Sequence, residues 1–250
     1  MKKIDWTIWI GISAGLSVIA AGALFEELSL SFLWNPAAAL IVGGGTLSAV
    51  LVKRGLKGIR ATARDVWGLQ FRDDSAEEHK LIVARLAWLA RSARKNGLKT
   101  YEQLAEQIDD VLVSNAFVLL AENTSKERMY DVLKARIEFE FEKGMQNVRT
   151  IEAAGGYAPT FGILGAVIGL TGVLRMIDDP SVLGTGIAAA FVATIYGIAL
   201  ANLIFFPVAS RLKDRLDETI SRREEIASVL ISLHENETPR AIINRFNLLK

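Results

Sequence analysis

The fold is decided by one apolar stretch, Tyr157 to Leu174, with the sequence YAPTFGILGAVIGLTGVL. It contains no charged side chain, and it is close to the length of about 20 residues that a helix needs to cross a bilayer. A second uncharged stretch runs from Leu183 to Pro207. Each stretch carries a proline near one end, small residues at helical spacing and a few hydroxyl groups, a composition that suits close helix packing beside a polar path. We therefore expect a protein that works in a membrane.

Two further apolar stretches precede these, so the chain has four candidate spans, over residues 6–24, 35–52, 157–174 and 183–206. The connections after spans 1 and 3 are short and acidic. Basic residues follow spans 2 and 4, namely Lys53, Arg54, Lys57, Arg60 and Arg64, then Arg211, Lys213 and Arg215. The positive-inside rule therefore predicts that both termini are cytoplasmic. A cleaved signal peptide is the alternative for span 1, but no small-residue cleavage site closes it.

The predicted fold class is all-α, with four spans and a helical cytoplasmic insert between spans 2 and 3. Residues 1–52 hold spans 1 and 2, residues 53–156 form the insert, residues 157–207 hold spans 3 and 4, and residues 208–250 form a cytoplasmic helical tail. Apolar residues recur at helical spacing in the insert, where Asn96-Gly97 predicts a helix stop and Thr100 a cap. The segment from Ser125 to Ile151 is expected to run directly into span 3.

Composition excludes several classes of function. A formal charge of +1 is not that of a basic nucleic-acid binder, and without cysteine there are no disulfides, thiolate metal sites or cysteine nucleophiles. His79 and His234 are single histidines without metal-ligand spacing. The run Gly43-Gly44-Gly45 lies inside an apolar span, where it cannot cradle a phosphate. We therefore expect neither an enzyme, nor a metal site, nor a bound cofactor.

The spans lack the group that ion transport requires. Ion movement through a bilayer normally uses an ionisable side chain near mid-membrane, and none lies well inside any span. The polar side chains of spans 3 and 4 are chiefly Tyr157, Thr160, Thr171, Thr185, Thr194, Tyr196 and Asn202. Because a membrane hydroxyl often bonds to the preceding turn of its own helix, Thr194 alone proves little. If the protein uses an ion gradient, a second polypeptide must supply the carboxylate.

Small residues recur three or four apart in three spans, and such stripes let helices approach closely. They are Gly11, Gly15 and Gly22; Gly162, Gly165, Gly169 and Gly172; and Gly186, Ala190, Ala193, Gly197 and Ala201. Packing within the chain is the preferred interpretation for span 1. For spans 3 and 4, packing within the chain and contact with other chains stay equally open.

Pro159 and Pro207 stand on the same side of the membrane, one where span 3 begins and one where span 4 ends. Each removes a backbone donor and can loosen its helix. A simple helix start at Pro159 and a simple kink at the helix end for Pro207 are the alternatives. The paired placement favours a hinge that couples the membrane to the cytoplasm.

Three sequence segments resemble the last two spans of the bacterial flagellar stator family MotA/PomA, part of the MotA/TolQ/ExbB superfamily. They are GYAPTFGILG at 156–165, ATIYG at 193–197 and NLIFFP at 202–207. The order of two spans, insert, two spans and a tail with Glu237-Thr238-Pro239-Arg240 is also similar. ExbB and TolQ share the proline-bearing core but have three spans, so an energiser of that kind is one alternative, and a transporter or channel acting alone is another.

The resemblance implies a homopentameric ring in the bacterial inner membrane around two copies of a MotB-type partner, which carries a membrane aspartate and a peptidoglycan-binding domain. Ion flow past that aspartate would turn the ring, and the insert would push the rotor protein FliG. By position, Thr194, Thr160 and Tyr157 belong to the ion path, while Pro159 and Pro207 are the coupling prolines. Arg94 and Glu102 match a charged pair that meets the rotor; a solvated helix face is the alternative for both.

The resemblance also bears on the transported ion. Sodium-driven relatives place a threonine seven residues after the first proline, where this chain has Ala166. A hard cation must replace its hydration shell with ligand oxygens, whereas a proton needs only the partner's aspartate and water. Protons are therefore favoured over sodium, although Thr160, beside Pro159, can also face the route.

Overall fold

The computed structural model describes residues 5–71, 82, 86, 97, 99–175 and 180–235, which are helical nearly throughout. The α-helices among these residues are α1 Thr7–Phe25, α2 Pro36–Ala39, α3 Gly45–Gly68, α4 Lys99–Gln107, α5 Val111–Ala121, α6 Lys126–Leu174, α7 Pro180–Ala199 and α8 Phe206–His234. A short 3-10 helix covers Leu30–Leu33, and π-helical turns cover Leu40–Gly44 and Leu200–Phe205. Within the described residues, four helical stretches are long and apolar enough to cross a membrane. The all-α, four-span prediction is confirmed.

The chain forms two compact units. The first, which we call the membrane unit, comprises residues 3–72 and 145–213, and the second unit comprises residues 73–144 and 214–250. This division follows contacts, whereas the four segments drawn from the sequence follow membrane embedding. The boundaries of those segments stay a prediction.

Span 2 of the membrane unit is built from several helical pieces. Asn35 caps α2 by accepting the N–H of Ala38 at 3.0 Å, and Pro36 occupies the first turn, where a missing N–H costs nothing. The π turn Leu40–Gly44 then leads into α3. Within α3, Gly55 has a φ of 65°, a conformation that glycine adopts without steric cost. Span 2 therefore ends in a sharp break.

Both proline positions differ from the simple alternatives. Helix α6 runs unbroken from Lys126 to Leu174 with Pro159 inside it, so Pro159 does not start a helix. This continuity confirms that the segment from Ser125 runs directly into span 3. Pro207 lies in the first turn of α8, immediately after the π turn Leu200–Phe205, rather than at a helix end.

The second unit has its own apolar core. Its fully buried side chains include Leu112 and Phe117 of α5, Met129 and Leu133 of α6, and Leu230 of α8. The rings of Tyr101 and Phe117 stack with 5.8 Å between centroids. These helices therefore form a packed bundle.

The predicted cap at Thr100 is wrong. Helix α4 begins at Lys99, and the N–H of Thr100 donates instead to the Gly97 carbonyl at 3.1 Å. Gly97 itself has a φ of 87°, as expected where a helix stops; Asn96 lies outside the described residues. The helical spacing also misses a break between α4 and α5, where Asp110 caps the second helix.

Candidate functional site

Spans 3 and 4 meet along a contact that we call the seam, formed by Ala158, Gly162, Gly165 and Gly169 of α6 and by Ala190, Ala193 and Gly197 of α7. A methyl group added at Gly165 would lie 2.8 Å from the Ala193 Cβ, and one at Gly169 would lie 3.1 Å from the Ala190 Cβ. There is no room for larger side chains at these two positions. The small residues of the seam therefore serve packing within the chain, one of the two interpretations left open for spans 3 and 4.

At the centre of the seam, each helix places a glycine against a backbone carbonyl of the other helix. A methyl group at Gly162 would lie 2.9 Å from the Ala193 carbonyl oxygen, and one at Gly197 would lie 2.5 Å from the Ala158 carbonyl oxygen. Each glycine stands four residues after the carbonyl that faces the other glycine. Such close approach is typical of helix pairs that use Cα–H···O contacts. Spans 3 and 4 are thus held backbone to backbone at this level.

The small residues of span 1 behave differently. Gly11 and Gly22 have no atom within 4 Å of an added methyl group, and only Gly15 meets another span, through the Leu203 side chain. No residue of α1 is buried within the chain. The preferred interpretation, packing within the chain, therefore fails for two of these three glycines, because α1 touches the rest of the chain along a narrow line.

Pro159 lies beside the seam, and its missing N–H leaves the Gly155 carbonyl without its helical donor. The ring of Phe206 covers this turn, since a methyl group at Gly155 would lie 2.8 Å from it. On the other side, a methyl group at Gly197 would lie 2.9 Å from the Pro159 Cα. The weakened turn of α6 is thus enclosed by span 4.

Pro207 is exposed and faces α1 rather than the seam. It borders a cavity of about 300 Å³ between the start of α1 and the start of α8. The residues that line this cavity are Thr7, Ile8, Gly11, Ile12, Asn202, Leu203, Pro207, Val208 and Arg211. The two predicted coupling prolines therefore have different neighbours. Phe206 links the two positions, because it precedes Pro207 and its ring covers the turn at Pro159.

The predicted ion-path residues divide between two faces. Thr160 is exposed outside the seam, where its hydroxyl donates to the Tyr157 carbonyl at 2.7 Å, the local bond expected of membrane hydroxyls. Thr194 is half-buried beside the seam, with its Cα 3.2 Å from a methyl group added at Gly162. No hydrogen bond to the Thr194 hydroxyl is found among the described residues. Tyr157 and Ala166 are half-buried.

Tyr196 has a fixed structural role. Its hydroxyl donates to the Leu33 carbonyl and accepts the N–H of Asn35 at 3.2 Å. Leu33 belongs to the connection between spans 1 and 2, and Asn35 follows it as the first residue of span 2. The phenol therefore fastens span 4 to this connection.

Sequence reasoning missed a buried hydroxyl in span 2. Thr46 is only 2% exposed, and its Oγ1 has no hydrogen-bond partner among the described residues. It continues a row of buried residues at intervals of four, with Ala38, Val42 and Val50. That row is visible in the sequence, but the π turn Leu40–Gly44, which precedes Thr46, is not.

Asp5 lies just before span 1 and is held in its charged form. Its carboxylate accepts the hydroxyl of Thr7 at 2.6 Å and the N–H of Thr7 at 3.0 Å, and it pairs with Arg211. The Thr7 side-chain hydrogen bond, followed by the Thr7 backbone bond and by the Arg211 charge, lowers the pKa of Asp5 below its ordinary 3.8. The N-terminal end is thereby tied to the start of α8.

The predicted rotor pair is only partly visible. Glu102 is exposed in the first turn of α4, where a carboxylate complements the helix dipole. Arg94 lies outside the described residues. Within the described part of the chain, no group of three or more His, Cys, Asp or Glu side chains could hold a metal ion.

The sequence profile of the MotA/TolQ/ExbB proton channel family matches residues 104–225. Motility protein A of Bacillus subtilis (strain 168) is 31% identical over 239 residues, which span 96% of this chain and 88% of that protein. The chain belongs to this family. Within the MotA/TolQ/ExbB family, it is also similar to the chemotaxis protein PomA of Vibrio alginolyticus, at 27% identity over 240 residues, 96% of this chain and 92% of that one.

The fold agrees with this membership. A chain of the flagellar MotAB stator complex from Bacillus subtilis superposes with a TM-score of 0.81 and 31% identity, covering 96% of this chain and 94% of the other. The predicted resemblance to the MotA/PomA branch is therefore confirmed. The chain is a multi-pass membrane protein, and its family is not a known class of enzyme.

Proposed function

We propose that this chain is the ring-forming subunit of a bacterial flagellar stator, which couples inward ion flow to rotation and torque. The similarity to Motility protein A over nearly the whole chain carries the proposal. The fold of a MotAB stator chain supports it. An energiser of the ExbB or TolQ kind is less well supported, because those relatives have three spans and this chain has four candidates.

A MotB-type partner supplies the membrane aspartate in this proposal. The four spans have no acid of their own, and the seam leaves no space for one because carbonyls and glycines meet directly. Outside the seam, Ile163, Leu164 and Val167 of α6 are about half exposed, on the same side as Thr160. This face offers an apolar surface with one hydroxyl to a helix of another chain.

The proposed ion is the proton. Ala166 offers no ligand oxygen at the position where sodium-driven relatives have a threonine. A sodium ion needs several oxygens to replace its water, whereas a proton needs only the partner's carboxylate and a chain of water. One charge that crosses 100 mV releases about 2.3 kcal/mol, enough for a step driven by each ion.

The assembly follows from the same proposal. Five copies surround two partner chains in the bacterial inner membrane with both termini cytoplasmic, and the partner's outer domain grips peptidoglycan. Residues of the insert, with Arg94 and Glu102 as candidates, push FliG. Pro159 and Pro207 couple the two events, and the contact of Phe206 with Gly155 supports communication between the two proline-bearing turns.

The test is motility in a bacterium that lacks its own stator genes, with this chain expressed beside an aspartate-bearing MotB-type partner. We expect swimming that depends on both chains and follows the proton-motive force. Speed that follows sodium at constant proton-motive force would overturn the ion assignment. Normal swimming of a Pro159→Ala variant would contradict the proposed hinge.

Two further outcomes separate the alternatives. Purified alone in vesicles, this chain should carry no proton current, and a gradient-driven current without a partner would favour a channel acting alone. Copurification with a TonB-like protein in place of a peptidoglycan-binding partner would favour the ExbB or TolQ type.

A further inference from the structure

The break at Gly55 turns the end of span 2 into a separate helical segment, Leu56–Gly68, which we call the interfacial segment. It begins directly after Gly55, and Arg54 is the last residue before the break. Its sequence, LKGIRATARDVWG, mixes apolar residues with three basic residues and an aspartate, charges that are costly inside a spanning helix. The segment therefore starts at the membrane surface, since it continues directly from a span.

One face of the interfacial segment is fastened to α6 by polar side chains. The Thr62 hydroxyl donates to Asn147 Oδ1 at 3.1 Å, and the Asn147 amide donates to Asp65 Oδ2 at 2.6 Å. Thr62 and Asn147 are each 7% exposed. Just before the break, Arg54 donates to the Oδ1 of the same Asn147 at 3.2 Å. These bonds fix the rotation of the segment about its own axis.

The opposite face is exposed and amphipathic. Leu56 is 63% exposed and Trp67 is 67% exposed, eleven residues apart and so on the same side of a helix. The exposed basic residues Lys57, Arg60 and Arg64 flank this apolar strip. None of these three cations forms an ion pair with a described residue. The fixed rotation thus presents a tryptophan, a leucine and three uncompensated charges together.

We propose that the interfacial segment lies in the membrane surface and binds anionic phospholipid headgroups through Lys57, Arg60 and Arg64. Leu56 and Trp67 enter the boundary with the acyl chains, where tryptophan is favoured. Three features select this occupant: the continuity with span 2, the excess of positive charge, and the apolar strip beside it. Basic residues next to a span attract anionic lipid. The inference depends on the membrane location of the chain and not on the stator function.

The test measures quenching of Trp67 fluorescence by brominated lipids in nanodiscs that hold the full chain. The Trp67 signal is the difference between the unmodified chain and a Trp67→Phe variant. We expect brominated phosphatidylglycerol to quench Trp67 several-fold more strongly than brominated phosphatidylcholine at the same low mole fraction. A triple variant, Lys57→Gln, Arg60→Gln and Arg64→Gln, should lose that preference and keep quenching by both lipids.

A matched variant, Arg128→Gln, Lys134→Gln and Lys143→Gln, removes the same number of exposed charges from the second unit. It should keep the preference for phosphatidylglycerol. Absence of quenching by either lipid would overturn the proposal, since another protein surface would then cover the face. Equal quenching of the unmodified chain by the two lipids would also overturn it, and this comparison stands even if the triple variant fails to fold.

Discussion

At the scale of single residues, helix packing at the centre of the membrane unit depends on glycines, which have no side chain. The seam brings Gly197 against the Ala158 carbonyl and Gly162 against the Ala193 carbonyl. Dispersion and Cα–H···O contacts stabilise such pairs only at this short range. The sequence shows the small residues clearly, but it leaves open whether they meet within one chain or between chains. Only the pairing of spans 3 and 4 decides that question.

A Gly197→Ala substitution tests the seam. Because the new methyl group would lie 2.5 Å from the Ala158 oxygen, backbone must shift, and we expect the free energy of unfolding to fall by about 1–3 kcal/mol. An unfolding titration in mixed micelles measures this change. Gly172→Ala is the matched control, since its methyl group meets no atom within 4 Å. Equal destabilisation of both variants would contradict the packing described here.

The Tyr196 hydroxyl provides a second test at this scale. Tyr196→Phe removes the donor to the Leu33 carbonyl and the acceptor for the Asn35 N–H while keeping the ring. We expect a loss of about 0.5–1.5 kcal/mol per hydrogen bond in the same titration. Tyr130→Phe, at an exposed position of the second unit, should have almost no effect. If the Tyr196→Phe variant has the same free energy of unfolding as the unmodified chain, the two hydrogen bonds of the hydroxyl add no stability.

At the scale of helices, the sequence predicts the lengths of the helices better than the breaks and π turns within them. The uncharged stretches and the continuation of the charged segment into span 3 follow from hydropathy and periodicity alone. The break at Gly55 and the two π turns do not, because hydropathy and periodicity give no signal for them. Gly55 is one of many glycines, and none of the residues next to it in the sequence indicates that it has a positive φ. The cluster around Asn147 likewise joins residues more than eighty positions apart.

The junction between α4 and α5 gives a test at the scale of helices. Asp110 accepts the N–H groups of Leu112 at 3.0 Å and Val113 at 3.3 Å, and it pairs with Arg223. Asp110→Ala removes the cap and the ion pair, so we expect a loss of about 0.5–2 kcal/mol, most of it from the cap. Asp110→Asn keeps a capping oxygen and should lose less.

Thermal unfolding followed by circular dichroism compares these variants. Asp109→Ala, at the exposed neighbouring position, serves as the control and should leave the melting temperature nearly unchanged. If Asp110→Asn is as unstable as Asp110→Ala, the ion pair with Arg223 outweighs the cap.

At the scale of the whole molecule, the sequence predicts the fold class and the family, while the candidate site is only partly predictable. Thr194 and Pro159 both lie beside the seam, where the Thr194 Cα is 3.2 Å from a methyl group added at Gly162 and the Pro159 Cα is 2.9 Å from one added at Gly197. Thr160 lies outside the seam, and Tyr196 is engaged elsewhere. Side-chain type alone cannot separate these cases, because a hydroxyl on a membrane helix bonds locally, across helices or to a transported ion according to the face on which it stands.

Stability against acid tests the tie between the two ends of the membrane unit. The folded-state pKa of Asp5 lies below its unfolded value of about 3.8, so its contribution is complete above that value and is lost as the pH falls through the folded pKa. Asp5→Asn keeps an oxygen for Thr7 but removes the charge facing Arg211. We expect the unmodified chain to melt at a higher temperature near neutral pH, with the gap closing in strong acid. A gap independent of pH would contradict this assignment.

The widened turn in span 4 has a practical consequence for mutagenesis. An α-helix advances about 100° per residue, and a π turn accommodates one extra residue, so side chains before Leu200 and after Phe205 no longer follow a single wheel. A cysteine or tryptophan scan plotted with one continuous period would therefore misplace the side chains after Phe205 by about 100° around the helix. Accessibility data for α7 and α8 need two separate phases, one ending at Ala199 and one beginning at Phe206.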